Sequence, residues 1–232
     1  MHSKYIRWEN DRIRDADSLD DPMKPTVLLI ACGALARELV QIVRLNQWGQ
    51  IRVRCLSPAL HQAPQKIPAA VRAEWEKSIG QYERIFVAYG DCGTGGKLDE
   101  VLEEFGIERL PGSHCYEFYA GADNFREIAE TEAGTFYLTD FLVRHFERLI
   151  QKGLGLNNRP ELKDLYFGNY RRLVYLAQTD DLELQQTASG HAAYLGLEYQ
   201  YHFTGSRHVE ARLKEHIVRR QVRPGLQELT ND

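Results

Sequence analysis

The sequence predicts an α/β protein: a three-layer sandwich whose doubly wound, mostly parallel sheet carries a helical insertion. Three observations predict it. Short apolar runs, such as Thr26-Val-Leu-Leu-Ile-Ala-Cys-Gly33, read as strands buried on both faces. Segments with apolar residues at helical spacing alternate with these runs. The links between them are short, which implies right-handed crossovers and parallel strands.

The elements follow in order. After the first strand, Leu35, Leu39, Ile42 and Val43 share one face of a helix. Ile51 to Ser57 alternates as a second strand, with Cys55 turned to the core. Pro68 suits the first turn of a helix running to Tyr82. Arg84-Ile-Phe-Val-Ala-Tyr-Gly90 is a third strand, followed by a helix that Gly106 stops. Ile107 to Leu110 is a short fourth strand. The helical insertion is read over about residues 124–169, where Phe141, Leu142, Phe146, Leu149 and Ile150 form a wide apolar face. Arg172 to Gln178 is a fifth strand and Glu198 to Thr204 a sixth, with helices after each.

Residues 26–223 are therefore expected to form a single α/β domain. Residues 1–25 read as a charged arm, and 224–232 as a flexible tail. No apolar run reaches the roughly 18 residues that span a bilayer. The arm has no apolar core of the secretory kind. A cytoplasmic, reducing setting is expected, with all four cysteines as thiols. A net charge of −4 gives no basic footprint for nucleic acid, and no membrane surface is expected as a partner. The charged arm and apolar inserted helices are compatible with a homo-oligomer.

Ligands of open α/β sheets sit beyond the carboxyl ends of the strands. The sequence delivers Cys32 there from strand one, Cys92 from strand three and Cys115 from strand four. Three thiolates leave one coordination position open, the mark of a catalytic metal. Zinc and a [4Fe-4S] cluster both suit thiolates, and the sequence does not choose between them. His114 and Glu117 are candidates to close the site, and Glu117 is also a candidate catalytic group beside Asp180 and Asp181, which read equally as the N-cap of the helix that follows. Gly93, Thr94, Gly95 and Gly96 open a helix and are candidates for an anion cradle, or more simply form a tight strand-to-helix turn; their spacing fits neither a Walker loop nor a dinucleotide fingerprint. Cys92, at the same helix start, is alternatively a nucleophile. His114-Cys-Tyr-Glu-Phe-Tyr119 crowds aromatics beside polar groups and suits a pocket wall. Asp140 and Arg144, four apart, read as a surface pair.

Five blocks carry a resemblance: Ala31–Glu38, Tyr89–Gly96, Gly112–Gly121, Gly134–Phe141 and Tyr175–Asp181. Together they span about residues 26–205 and resemble the DUF1638 family, a domain of unknown function. Ser113 departs from the pattern, which has proline there. The resemblance implies a setting rather than a reaction. Relatives tend to be encoded near corrinoid proteins, their methyltransferases and reductive activators, which points to one-carbon metabolism.

The expected function is a metal-dependent enzyme, or accessory enzyme, of methyl-group metabolism linked to corrinoid methyltransferases. Cys32, Cys92 and Cys115 hold the metal, and the substrate is a small molecule such as a methylated amine or a thiol. Two alternatives stay open. One is a non-enzymatic metal or iron–sulfur carrier serving a corrinoid protein or methyltransferase. The other is a metal-free enzyme with Cys92 as nucleophile and the glycine-rich loop as anion site.

Overall fold

A computed structural model describes residues 25–218. The tail at 224–232 and all of the arm but Pro25 lie outside the described residues. The class is α/β, and every strand pairing is parallel. The strands divide between two sheets.

The first sheet contains β1 (Val27–Cys32), β2 (Ile51–Leu56), β3 (Arg84–Ala88) and β4 (Glu108–Arg109), in the order β2-β1-β3-β4. Every residue of β1 is buried, as its unbroken apolar run requires. The chain runs from β1 outward to β2 through α1 (Ala36–Leu45). It then crosses back over β1 to β3 through α2 (Ile67–Ser78), and on to β4 through α3 (Lys97–Glu104). Right-handed crossovers in opposite directions put α1 on one face and α2 and α3 on the other. The reversal makes the carboxyl ends of β1 and β3 a topological switch point, where such sheets open a crevice.

Two short helices, α4 (Tyr116–Ala120) and α5 (Ala122–Thr131), lead to the second sheet. It contains β5 (Thr135–Thr139), β6 (Arg172–Ala177) and β7 (Glu198–Phe203), in sequence order. Between β5 and β6 lie α6 (Asp140–Arg144) and α7 (Leu162–Phe167); α8 (Leu182–Leu195) joins β6 to β7. After β7, α9 (Arg207–Leu213) returns to the first core, where Val209, Leu213 and Ile217 are buried. No helix among the described residues is long and apolar enough to cross a membrane.

The insertion read as helical over 124–169 contains β5. Its run Thr-Phe-Tyr-Leu-Thr is β-branched and aromatic, as a strand should be. However, α6 begins at the next residue, and a five-residue run abutting a helix is too short to show a periodicity of its own.

Candidate functional site

The carboxyl ends of both sheets face one cavity of about 180 Å³. Leu35, Pro58, His61, His114, Cys115 and Tyr116 line it from the first sheet's loops. Phe136 and Thr139 of β5, Phe141 and Leu142 of α6, and Leu149, Ile150 and Leu154 line it from the second. The walls are mainly apolar, and the titratable groups gather at one end.

Three loops are drawn together there. The backbone N–H of Asp91 donates to Gly112 O at 3.2 Å and that of Cys92 to Ser113 O at 2.9 Å, joining the loop after β3 to the loop after β4. Arg109 steadies the second loop by donating to Leu110 O at 2.9 Å and Gly112 O at 3.1 Å. Gly90 makes the contact possible: a Cβ there would lie 2.8 Å from the carbonyl carbon of His114. Gly33 does the same for β1 and β2, since its Cβ would meet Leu56 O at 2.8 Å. The turn Pro58–Gln62 can then fold over Cys32 and deliver His61.

His61, Cys92 and Cys115 each place a ligand atom within 4.8 Å of the other two. Cys32 stands beside them, its Sγ 3.6 Å from His61 Nδ1. That nitrogen also lies 3.3 Å from Pro58 O. His61 Nε2 is left buried without a partner among the described residues, and so is Tyr89 Oη. Buried polar atoms in native proteins rarely lack partners, and sites of chemistry are a recognised exception.

Electrostatics separates the thiols. A hydrogen bond with Cys115, helped by His61 and opposed by burial, lowers the Cys92 thiol to about 4. Cys115, which keeps the shared proton, is raised well above the ordinary thiol range by that hydrogen bond and by burial. Burial pushes His61 toward neutrality, but the neighbouring sulfurs of Cys32 and Cys92 outweigh it and raise the imidazole to about 11. Burial lowers the His114 imidazole below its ordinary range, and its ring stacks on Tyr116 at 4.0 Å. Cys92 also has a φ of 49°, a left-handed conformation that a side chain other than Gly, Asn or Asp adopts rarely. Cys55 packs against the first core, and burial pushes its thiol up to about 12.

The other candidates from the sequence have different surroundings. The glycine-rich loop is filled by its own carboxylate: Asp91 accepts from Thr94 Oγ1 at 2.6 Å, Gly95 N at 3.1 Å and Gly96 N at 2.8 Å. Those two amides and the hydroxyl are committed within the turn, which leaves Gly93 to Gly96 a poor anion cradle. Glu117 turns back to accept from Ser113 N at 2.8 Å. Asp181 caps α8, accepting from Glu183 N at 2.9 Å and Leu184 N at 3.2 Å. Asp180 is exposed and accepts from Gln185 and Tyr201 at 3.2 Å each. None of Glu117, Asp180 and Asp181 lines the cavity. Asp140 does pair with Arg144, at 4.0 Å, but it is buried rather than at the surface.

The sequence reading missed His61. Its signal was available: it follows β2, just as Cys92 follows β3, and strand-end loops build the site.

A family model described as a protein of unknown function (DUF1638) matches residues 55–213. The chain belongs to this family. Searches of curated proteins and of solved structures each returned no match. The DUF1638 match takes in His61, Cys92 and Cys115, while Cys32 precedes it.

Proposed function

We propose that this DUF1638 protein is a metal-dependent enzyme whose ion is held by His61, Cys92 and Cys115 and whose substrate occupies the apolar cavity beside them. The observation that carries this reading is the set of three ligand atoms within 4.8 Å of one another, two buried sulfurs and a half-buried imidazole. The donor set suits zinc: at Zn–S distances near 2.3 Å, tetrahedral ligands lie about 3.8 Å apart. A [4Fe-4S] cluster holds its thiolates farther apart, so a single ion fits better. Bound zinc supplies Lewis acidity, which lowers a thiol's pKa or polarises a carbonyl.

The chain's own residues set up that chemistry. Cys92 brings a thiolate. Cys32, against Nδ1 of His61, orients the imidazole so that Nε2 faces inward, the usual service of a partner behind a metal-binding histidine. The apolar walls exclude water and select a substrate with a small apolar body. Methylated thiols and methylated amines meet that description, and a corrinoid protein or its methyltransferase is the proposed partner in a cytoplasmic one-carbon pathway.

A second reading draws on the depressed pKa of Cys92: it is a nucleophile paired with His61, without metal. Metal analysis of anaerobically purified full-length protein separates the two. Stoichiometric zinc that is lost in His61→Ala, Cys92→Ser and Cys115→Ser supports the metal enzyme. Cys32→Ala should weaken zinc by about 10- to 100-fold without abolishing it. Metal-free protein that takes up no zinc on reconstitution overturns the first reading in favour of the second.

A further inference from the structure

We propose that a second site, the groove between α5, β7 and α9, binds a small molecule through a phosphate group seated at Arg172. The groove has a volume of about 690 Å³, within the usual range for small-molecule sites. It shares no lining residue with the thiol-headed cavity.

Arg172 opens the fully buried strand β6 and is only 6% exposed. Its guanidinium donates to Thr135 Oγ1 at 2.7 Å, to Gln200 Oε1 at 3.0 Å and to the carbonyl of Ile128. All three acceptors are neutral, and no ion pair joins Arg172 to a carboxylate among the described residues. A guanidinium has five N–H donors, so two remain for a ligand. A buried charge without a counter-ion is costly, and an anion in the adjoining groove relieves that cost.

The strand next to it points the same way. On one face of β6, Val174 and Leu176 are buried with Phe125 and Ile128. Their register partners on β7 are Gln200 and His202, polar and half-buried. A face that served packing alone would carry apolar residues at both positions. Arg207 and His208, from the start of α9, complete the lining, with one exposed acid, Glu127, beside them. In a chain of net charge −4, this groove gathers two arginines against a single carboxylate, with His202 and His208 as further ring N–H donors. The donors come from β6, β7 and α9. A phosphate group, with its oxygens set tetrahedrally, can accept from all three directions and matches the guanidinium fork.

The test is calorimetric titration of the full chain with inorganic phosphate, and separately with citrate, at constant ionic strength. Saturable phosphate binding is expected. His202→Ala and Arg207→Ala leave the three bonds of Arg172 intact. Each should weaken phosphate about 3- to 10-fold with an unchanged melting temperature in its absence. Arg172→Lys keeps the charge but loses the fork and should weaken phosphate further; if that variant does not fold, the other two carry the test. The proposal is overturned if phosphate does not saturate at millimolar concentration, if both of those variants bind it like the parent, or if citrate binds and phosphate does not.

Discussion

At the carboxyl end of the second sheet, Asp140 accepts from Tyr175 Oη at 2.7 Å, Gln178 N at 2.9 Å, Thr179 N at 3.1 Å and the Thr179 hydroxyl. At the carboxyl end of the first, His61 Nε2 and Tyr89 Oη are buried with no partner among the described residues, and Cys92 carries a left-handed backbone. Both edges face one cavity. Asp140 is buried and titratable, yet every direction around it is committed, and it ties β5 to β6. The thiol and imidazole groups have capacity to spare. Position at a strand end is therefore not enough to mark a site; uncommitted donors and acceptors mark it.

The sharpest way to break the comparison is Asp140→Ala. It strands a tyrosine hydroxyl and two backbone amides, so chemical denaturation should show a loss of about 3–5 kcal/mol, with Cys92 still titrating abnormally. A shift in Cys92 would mean that the two edges are not separate in role. Next in size is Cys92→Ser. Zinc affinity, measured by competition with a chelator, should fall about 100-fold or more.

Gly90→Ala should act between these two kinds of effect. Its methyl would press on the backbone of His114, costing about 1–3 kcal/mol and separating Cys92 from Cys115, so that stability and zinc affinity fall together. Acid titration sharpens the account of the thiols. In metal-free protein the ultraviolet thiolate signal of Cys92 should persist down to pH about 4 and vanish below it. The folded value lies below the unfolded thiol's, so the stabilisation is full above the unfolded value and lost as pH falls through about 4. An ordinary thiol titration in that protein would remove the thiolate from the argument. The smallest effect is expected for Asp181→Ala, which removes an N-cap worth about 1 kcal/mol and should leave zinc affinity untouched.

Much of the fold was legible because its strands are short, apolar and punctuated. The run before Cys32 and the run before Gly90 each announce a buried strand and the loop beyond it. β5 was hidden because its five residues merge with the helical pattern of Phe141, Leu142 and Phe146. For the site, Cys92 and Cys115 stood out by residue type and position. His61 did not, because a histidine in a turn after a strand has many unremarkable explanations. Asp180 and Asp181 looked equally well placed, and only their hydrogen bonds identify them as a surface acceptor and a helix cap.

What sequence alone determined is the alternation of elements, the thiols and the order in which strands deliver them. Those are local properties, set by periodicity, turn residues and side-chain chemistry. The division into two sheets, the approach of three loops at Gly33 and Gly90, and the exchange of a third cysteine for His61 were decided by tertiary structure. They depend on which backbones can approach within van der Waals distance, and that distance is fixed only when residues far apart in the chain pack together.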